Sequence, residues 1–288
     1  MSSLYYEVHG QEHGNPLLCI HGFGASLYSW REFVKPGSPL INKYRVITID
    51  LKGFGKSPKP DDTKYSTQDH ADLIYEFIQD HDLKNLTLIG NSFGGALTLL
   101  LTLMLNDRDP TRLESIVLID AGSYVDLLPL YLKILSWPVI GFVASYIVPS
   151  KLAACSVLRK SYYDKKKITK DQIASYAAPL SLPGARHALW QTGKQIIPPN
   201  FPQLAARYKE IKLPTQIIWG KNDKVISPEA ACRLNRDLPH SELVWIPECG
   251  HVPQEEQPEK TIPAVDDFLK GVYSAGSGAS VGAAGGQV

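Results

Sequence analysis

Ser92 lies between two glycines in Gly90-Asn91-Ser92-Phe93-Gly94, directly after the apolar run Leu86-Thr87-Leu88-Ile89. Glycines two positions to either side suit a turn so tight that a larger flanking side chain would crowd it. A serine hydroxyl is a poor nucleophile at neutral pH, so covalent chemistry at Ser92 requires a base and a group that orients the base. Two downstream segments supply them. Cys249-Gly250-His251 follows the strand-like Leu243-Val244-Trp245-Ile246, and Gly220-Lys221-Asn222-Asp223 follows Thr215-Gln216-Ile217-Ile218-Trp219. His251 is therefore the candidate base and Asp223 the candidate acid. Asp120, which ends the run Ser115 to Ile119, is a second carboxylate able to reach the histidine from a neighbouring loop. Such a set performs acyl transfer through Ser92, and the oxyanion that develops needs backbone N–H donors aimed at it. One of them is the N–H of Phe93, the residue after the nucleophile.

Positioning these residues falls to a series of short strands. Leu4 to Val8, Leu17 to Ile20, Tyr44 to Ile49, Leu86 to Ile89, Ser115 to Ile119, Thr215 to Trp219 and Leu243 to Ile246 all read as strands. Several are nearly continuous apolar runs, which is the pattern of strands covered on both faces. Helices fall between them. Ala96 to Leu103 continues from the serine turn as a buried helix, and Ser66-Thr67-Gln68-Asp69 has the form of a capping box ahead of Leu73, Ile74, Phe77 and Ile78 at helical spacing. Alternation of this kind implies an α/β fold with a mainly parallel, doubly wound sheet, flanked by helices. Catalytic side chains just past strand ends would then gather at the carboxyl edge of the sheet, where ligands bind in such folds.

The alternation stops between residues 122 and 208, and a helical lid inserted over the site is expected there. The core then comprises residues 1–121 and 209–273, followed by a Gly/Ala/Ser-rich tail over 274–288 that is expected to be flexible. Leu127 to Val148 is the most apolar part of the lid, interrupted by Pro129, Lys133 and Pro138, so a membrane span is not expected. Interfacial contact through the lid is the remaining route to lipid.

The set of motifs resembles the α/β-hydrolase fold family, specifically its lid-bearing members with a serine nucleophile, over residues 4 to 272. The resemblance rests on His21-Gly22-Phe23-Gly24, Asp50-Leu51-Lys52-Gly53-Phe54-Gly55-Lys56-Ser57, the serine turn, Gly220-Lys221-Asn222-Asp223 and Gly250-His251, all in the family's order. It implies the chain order Ser92, Asp223, His251 for the triad and Phe23 as the second oxyanion donor. Gly90-Asn91-Ser92-Phe93-Gly94-Gly95 is also similar to the turn of carbon–carbon bond hydrolases that act on ring-cleavage products of aromatics. Those enzymes have a more glycine-rich turn where this chain has Phe23-Gly24-Ala25-Ser26, and a tryptophan where it has Val252.

The leading expectation is a serine hydrolase acting on carboxylic esters of apolar small molecules, without metal or organic cofactor. Hydrolysis of a carbon–carbon bond in a diketone acid is the alternative, with Arg186 as the carboxylate anchor. A non-catalytic ligand receptor on the same fold is a third reading. His21, Arg186, Trp190 and Val252 are the candidate substrate contacts, although His21 also suits a bracing role in the oxyanion loop and Arg186 and Trp190 suit lid packing.

Composition narrows the classes further. Thirty Lys and Arg against 29 Asp and Glu leave a net charge of +1 over 288 residues, so no global field attracts nucleic acid. Four cysteines, Cys19, Cys155, Cys232 and Cys249, show neither C-x-x-C spacing nor a zinc-like cluster and are expected to be reduced. The first residues lack a basic segment followed by an apolar one, so a cytoplasmic location is expected.

Overall fold

The structure is a computed structural model that describes residues 4–127 and 146–278. Seven strands form one sheet: β1 (Tyr6–Gly10), β2 (Pro16–Ile20), β3 (Arg45–Ile49), β4 (Leu86–Asn91), β5 (Leu113–Ile119), β6 (Thr215–Gly220) and β7 (Ser241–Ile246). They lie in the order β1-β3-β2-β4-β5-β6-β7, and β1 runs antiparallel to β3 while the other neighbours are parallel. Each expected strand is present, with β1 displaced two residues towards the C-terminus. β1 is an edge strand that leaves Tyr6 and Val8 exposed, so its burial pattern marks its bounds less sharply than the wholly buried β4 and β6 are marked.

Alternate side chains of each central strand enter opposite cores. Leu18, Ile20, Leu88, Leu118 and Ile217 face α3 (Thr67–Asp80), α4 (Phe93–Arg108) and α9 (Glu229–Asp237). Leu17, Cys19, Ile89, Val117 and Ile218 face the opposite layer, where α1 (Arg31–Val34), α2 (Pro39–Lys43) and α11 (Pro258–Gly278) contribute Phe33, Leu40, Val265 and Leu269. Each fully buried Leu or Ile contributes roughly 1.5–3 kcal/mol, so this double layer is the main source of stability. The α3 capping box forms as expected: Ser66 Oγ accepts the Asp69 N–H at 3.1 Å and Asp69 Oδ2 accepts the Ser66 N–H at 2.9 Å.

Between β5 and β6 the chain forms α5 (Ser150–Ser161), α6 (Lys170–Leu180), α7 (Ala185–Gln195) and α8 (Phe201–Ala206). A third apolar cluster, including Ala154, Leu158, Tyr162, Tyr176 and Ala177, joins α5 and α6 to Val252 of the core. Residues 128–145 of the apolar stretch Leu127 to Val148 lie outside the described residues. No helix among the described residues is long and apolar enough to cross a membrane.

The C-terminal helix extends beyond the boundary expected at 273. It runs to Gly278, and within it the Ser274 hydroxyl donates back to the Lys270 carbonyl one turn earlier. Residues 279–288 of the expected flexible tail lie outside the described residues.

Candidate active site

The turn after β4 places Ser92 at φ 56° and ψ −116°, a conformation that L-residues avoid. Holding it costs about 1–3 kcal/mol, which the surrounding hydrogen bonds must offset. Ser92 N–H donates to Ile119 O at 3.0 Å, and Ser92 O accepts from Gly95, Ala96 and Gly122 at 3.0, 3.1 and 2.8 Å. The flanking glycines are sterically obligatory. A Cβ at Gly90 would stand 2.3 Å from Gly94 O, and one at Gly94 would stand 2.0 Å from Ile20 O. Ser92 thereby sits at the head of α4, presented above the carboxyl ends of the strands.

His251 and Asp223 come from the ends of the two strands beyond β5. His251 Nδ1 lies 2.7 Å from Asp223 Oδ2, and both side chains are buried. The acid is itself held in place, since Asp223 Oδ1 accepts the N–H groups of Val225 and Ile226 at 2.7 and 3.2 Å. Because an ionised carboxylate accepts only, Nδ1 carries the proton and Nε2 is left with its lone pair for a substrate-side partner. Asp120, the alternative acid, is wholly buried beside this pair, with Oδ1 accepting from Gly220 N at 3.1 Å. Burial first, and the charge of Asp223 next, hold its carboxyl well above the ordinary carboxylate range.

The loop after β2 forms the facing wall. His21 is buried, with Nε2 accepting the Leu51 N–H at 3.0 Å and Nδ1 donating to Gly22 O at 2.8 Å, and burial lowers its pKa. This pairing makes His21 a brace between two loops. Asp50 completes the brace by accepting the Leu27 and Lys56 N–H groups, each at 2.7 Å. Phe23 and Phe93, the candidate oxyanion donors, both border the same cavity as Ser92 and His251. Phe93 occupies the first turn of α4, where N–H groups have no intrahelical partner.

That cavity measures about 450 Å³. Its floor is Ser92, Phe93 and His251, and its walls include Leu100, Leu103, Ile196, Phe201, Leu204 and Val225, drawn from both core and insertion. Val252 is among its lining residues. The structure puts the other three elsewhere among the described residues. His21 lies behind the loop rather than on the wall. Arg186 donates to the Tyr146 and Val148 carbonyls, both at 3.1 Å, and so fastens the chain ahead of α5. Trp190 packs edge-on to His187 and beneath Lys194. Among the described lining residues Lys160 is the one Lys or Arg, and partial burial lowers its pKa.

Three groups were not singled out from the sequence. Asn91 Nδ2 donates to Ile119 O and to His251 O, both at 3.1 Å, tying the nucleophile strand to the histidine loop. Glu256 accepts the N–H groups of Gly250, Tyr163 and Asp164 at 2.7, 3.0 and 2.7 Å, tying the histidine loop to the insertion. Glu255 is buried between Arg31 and the hydroxyl of Tyr176, which lines the cavity. The adjacent acids in Pro253-Gln254-Glu255-Glu256 were the available signal, but their partners are distant in sequence.

Comparison with known proteins identifies the fold family. The alpha/beta hydrolase fold family matches residues 15–258. An uncharacterized hydrolase of Bacillus subtilis, YugF, is 28% identical over 271 residues, covering 93% of this chain and 94% of its own. The 2-hydroxy-6-oxo-2,4-heptadienoate hydrolase of Pseudomonas putida is 29% identical over 268 residues, covering 91% of each. Among solved structures, a thermophilic esterase from Thermogutta terrifontis superposes with a TM-score of 0.76 at 25% identity, over 93% of each chain.

Proposed function

This chain belongs to the α/β-hydrolase fold family, and from that premise we propose that it is a serine hydrolase cleaving carboxylic esters of apolar substrates. In this reading His251 Nε2 removes the Ser92 proton as the hydroxyl attacks the ester carbonyl. Asp223 holds the imidazole tautomer and stabilises its cation, while the Phe23 and Phe93 N–H groups receive the oxyanion. The alcohol leaves with the proton returned by His251, and water repeats the cycle on the acyl-serine. The observation that carries the reading is the 2.7 Å contact of His251 with Asp223 at the floor of a cavity that Ser92 shares.

The apolar wall favours an aliphatic or aromatic substituent. The helices between β5 and β6 then act as a lid over that substituent. The similarity to the heptadienoate hydrolase supports a second reading, in which the same three residues cleave a carbon–carbon bond of a diketone acid. That substrate's carboxylate needs a cation, and Lys160 rather than Arg186 lines the cavity. A panel of short and long p-nitrophenyl esters, an amide and one ring-cleavage dienoate separates the readings. Ester turnover that exceeds dienoate turnover, and falls about 10⁶-fold in Ser92→Ala, is the expected result. Faster dienoate turnover would favour carbon–carbon bond cleavage, and no Ser92-dependent turnover of any ester or of the dienoate would favour a receptor.

A further inference from the structure

Asp120 ends β5 at φ 43°, with its N–H donating to Ile218 O at 3.0 Å and its Oδ1 accepting from Gly220 at 3.1 Å. It is thus pinned between the ends of β5 and β6. One oxygen of Asp120, one of Asp223 and a ring nitrogen of His251 all lie within 4.8 Å of one another. Two carboxyl groups buried at this separation repel each other unless one of them holds a proton.

Counting donors assigns that proton. Asp223 accepts three N–H groups, from His251, Val225 and Ile226. Asp120 accepts the Gly220 N–H on Oδ1, whereas its buried Oδ2 meets no donor. Negative charge is therefore stabilised on Asp223, and Oδ2 of Asp120 is satisfied by becoming a donor itself.

We propose that Asp120 is a positioning residue whose protonated carboxyl donates to Asp223 and fixes the carboxylate that faces His251. The surroundings agree. Besides Asp223 and His251, Asp120 senses the carboxylate of Glu256, and Cys249 stands beside both acids. Lys167, the nearby cation, donates to the Glu256 carbonyl at 2.6 Å. The Gly220 N–H favours the charged form, whereas burial, Asp223 and Glu256 all favour a neutral Asp120. If the charge of Asp223 is removed, this repulsion falls, and Asp120 can ionise to become the anion nearest His251.

The kinetic part of the test rests on the serine hydrolase reading; the spectroscopic part does not. Asp120→Ala should lower kcat for a p-nitrophenyl ester about ten- to a hundred-fold with KM nearly constant, and Asp120→Asn, whose amide can donate to Asp223, should recover most of that loss. In the Asp223→Asn background the same Asp120→Asn change should cost roughly tenfold, since it removes the reserve anion. Equal effects of Asp120→Asn in the two backgrounds would overturn the proposal. Infrared difference spectra of wild type against Asp120→Asn at neutral pH should show the C=O stretch of a protonated carboxylic acid, lost in the variant. Absence of that band would overturn the proposal whether or not the protein hydrolyses esters.

Discussion

Ser92 keeps a positive φ of 56° because its own carbonyl accepts three N–H groups while the residues two positions to either side, Gly90 and Gly94, lack side chains. The glycine requirement can be tested without reference to activity. Gly94→Ala forces a Cβ to 2.0 Å from the Ile20 carbonyl, which belongs to β2 and cannot retreat. It should lower stability by about 3 kcal/mol or more, read as a reduced urea midpoint. Gly122→Ala meets Ser92 O at 3.4 Å and should stay within about 1 kcal/mol of wild type. Equal midpoints for the two variants would show that the turn relaxes freely. Gly90 and Gly94 were legible in the sequence because they bracket Ser92, and the atom that excludes a Cβ at Gly90 is the Gly94 carbonyl, four residues on; the one that excludes it at Gly94 belongs to β2 and was not legible. Asn91 was not, because its second partner is the carbonyl of His251, 160 positions away. Asp120 was legible only as a rival to Asp223; its adjacency to that acid depends on the register of β5 against β6.

Helix α3 carries a different consequence of burial. His70 is enclosed by the rings of Phe54, Tyr65 and Phe93, with Nε2 placed 3.3 Å from the Thr192 hydroxyl of α7. Burial pulls its pKa down from 6.5 to about 3. The unfolded chain therefore takes up a proton at this histidine below 6.5 while the fold excludes it, so its contribution to stability is present above 6.5 and lost as pH falls towards 3. His70→Phe removes the titration. Between pH 7 and pH 5 the wild type should lose about 2 kcal/mol more than the variant, measured by denaturant unfolding at each pH. Parallel losses would contradict the assignment. At this scale the strands were legible because the central ones are apolar throughout, and α3 because its cap and its apolar face agree. The short helix α10 (Pro253–Glu256) was not. Four residues give no periodicity, and its acids read as surface until Arg31, Tyr163, Asp164 and Tyr176 arrive from other parts of the chain.

Across the whole molecule, four neighbouring strands deliver four chemical groups to one edge: Ser92 after β4, Asp120 after β5, Asp223 after β6 and His251 after β7. The insertion between β5 and β6 interrupts this series in sequence but not in space, because β5 and β6 still pair in parallel. Its helical character was legible from the break in alternation. The contacts of its side chains were not: Arg186 bonds the Tyr146 and Val148 carbonyls and Trp190 packs on His187, and neither is among the described residues that line the cavity. What the architecture must accomplish is to make one hydroxyl among many reactive. An active-site-directed fluorophosphonate, followed by peptide mass spectrometry, reads this directly. The wild type should acquire a single adduct, on Ser92, with labelling abolished in Ser92→Ala and greatly slowed in His251→Ala. A folded wild-type protein that remains unlabelled, or that is labelled at any residue other than Ser92, would contradict the account.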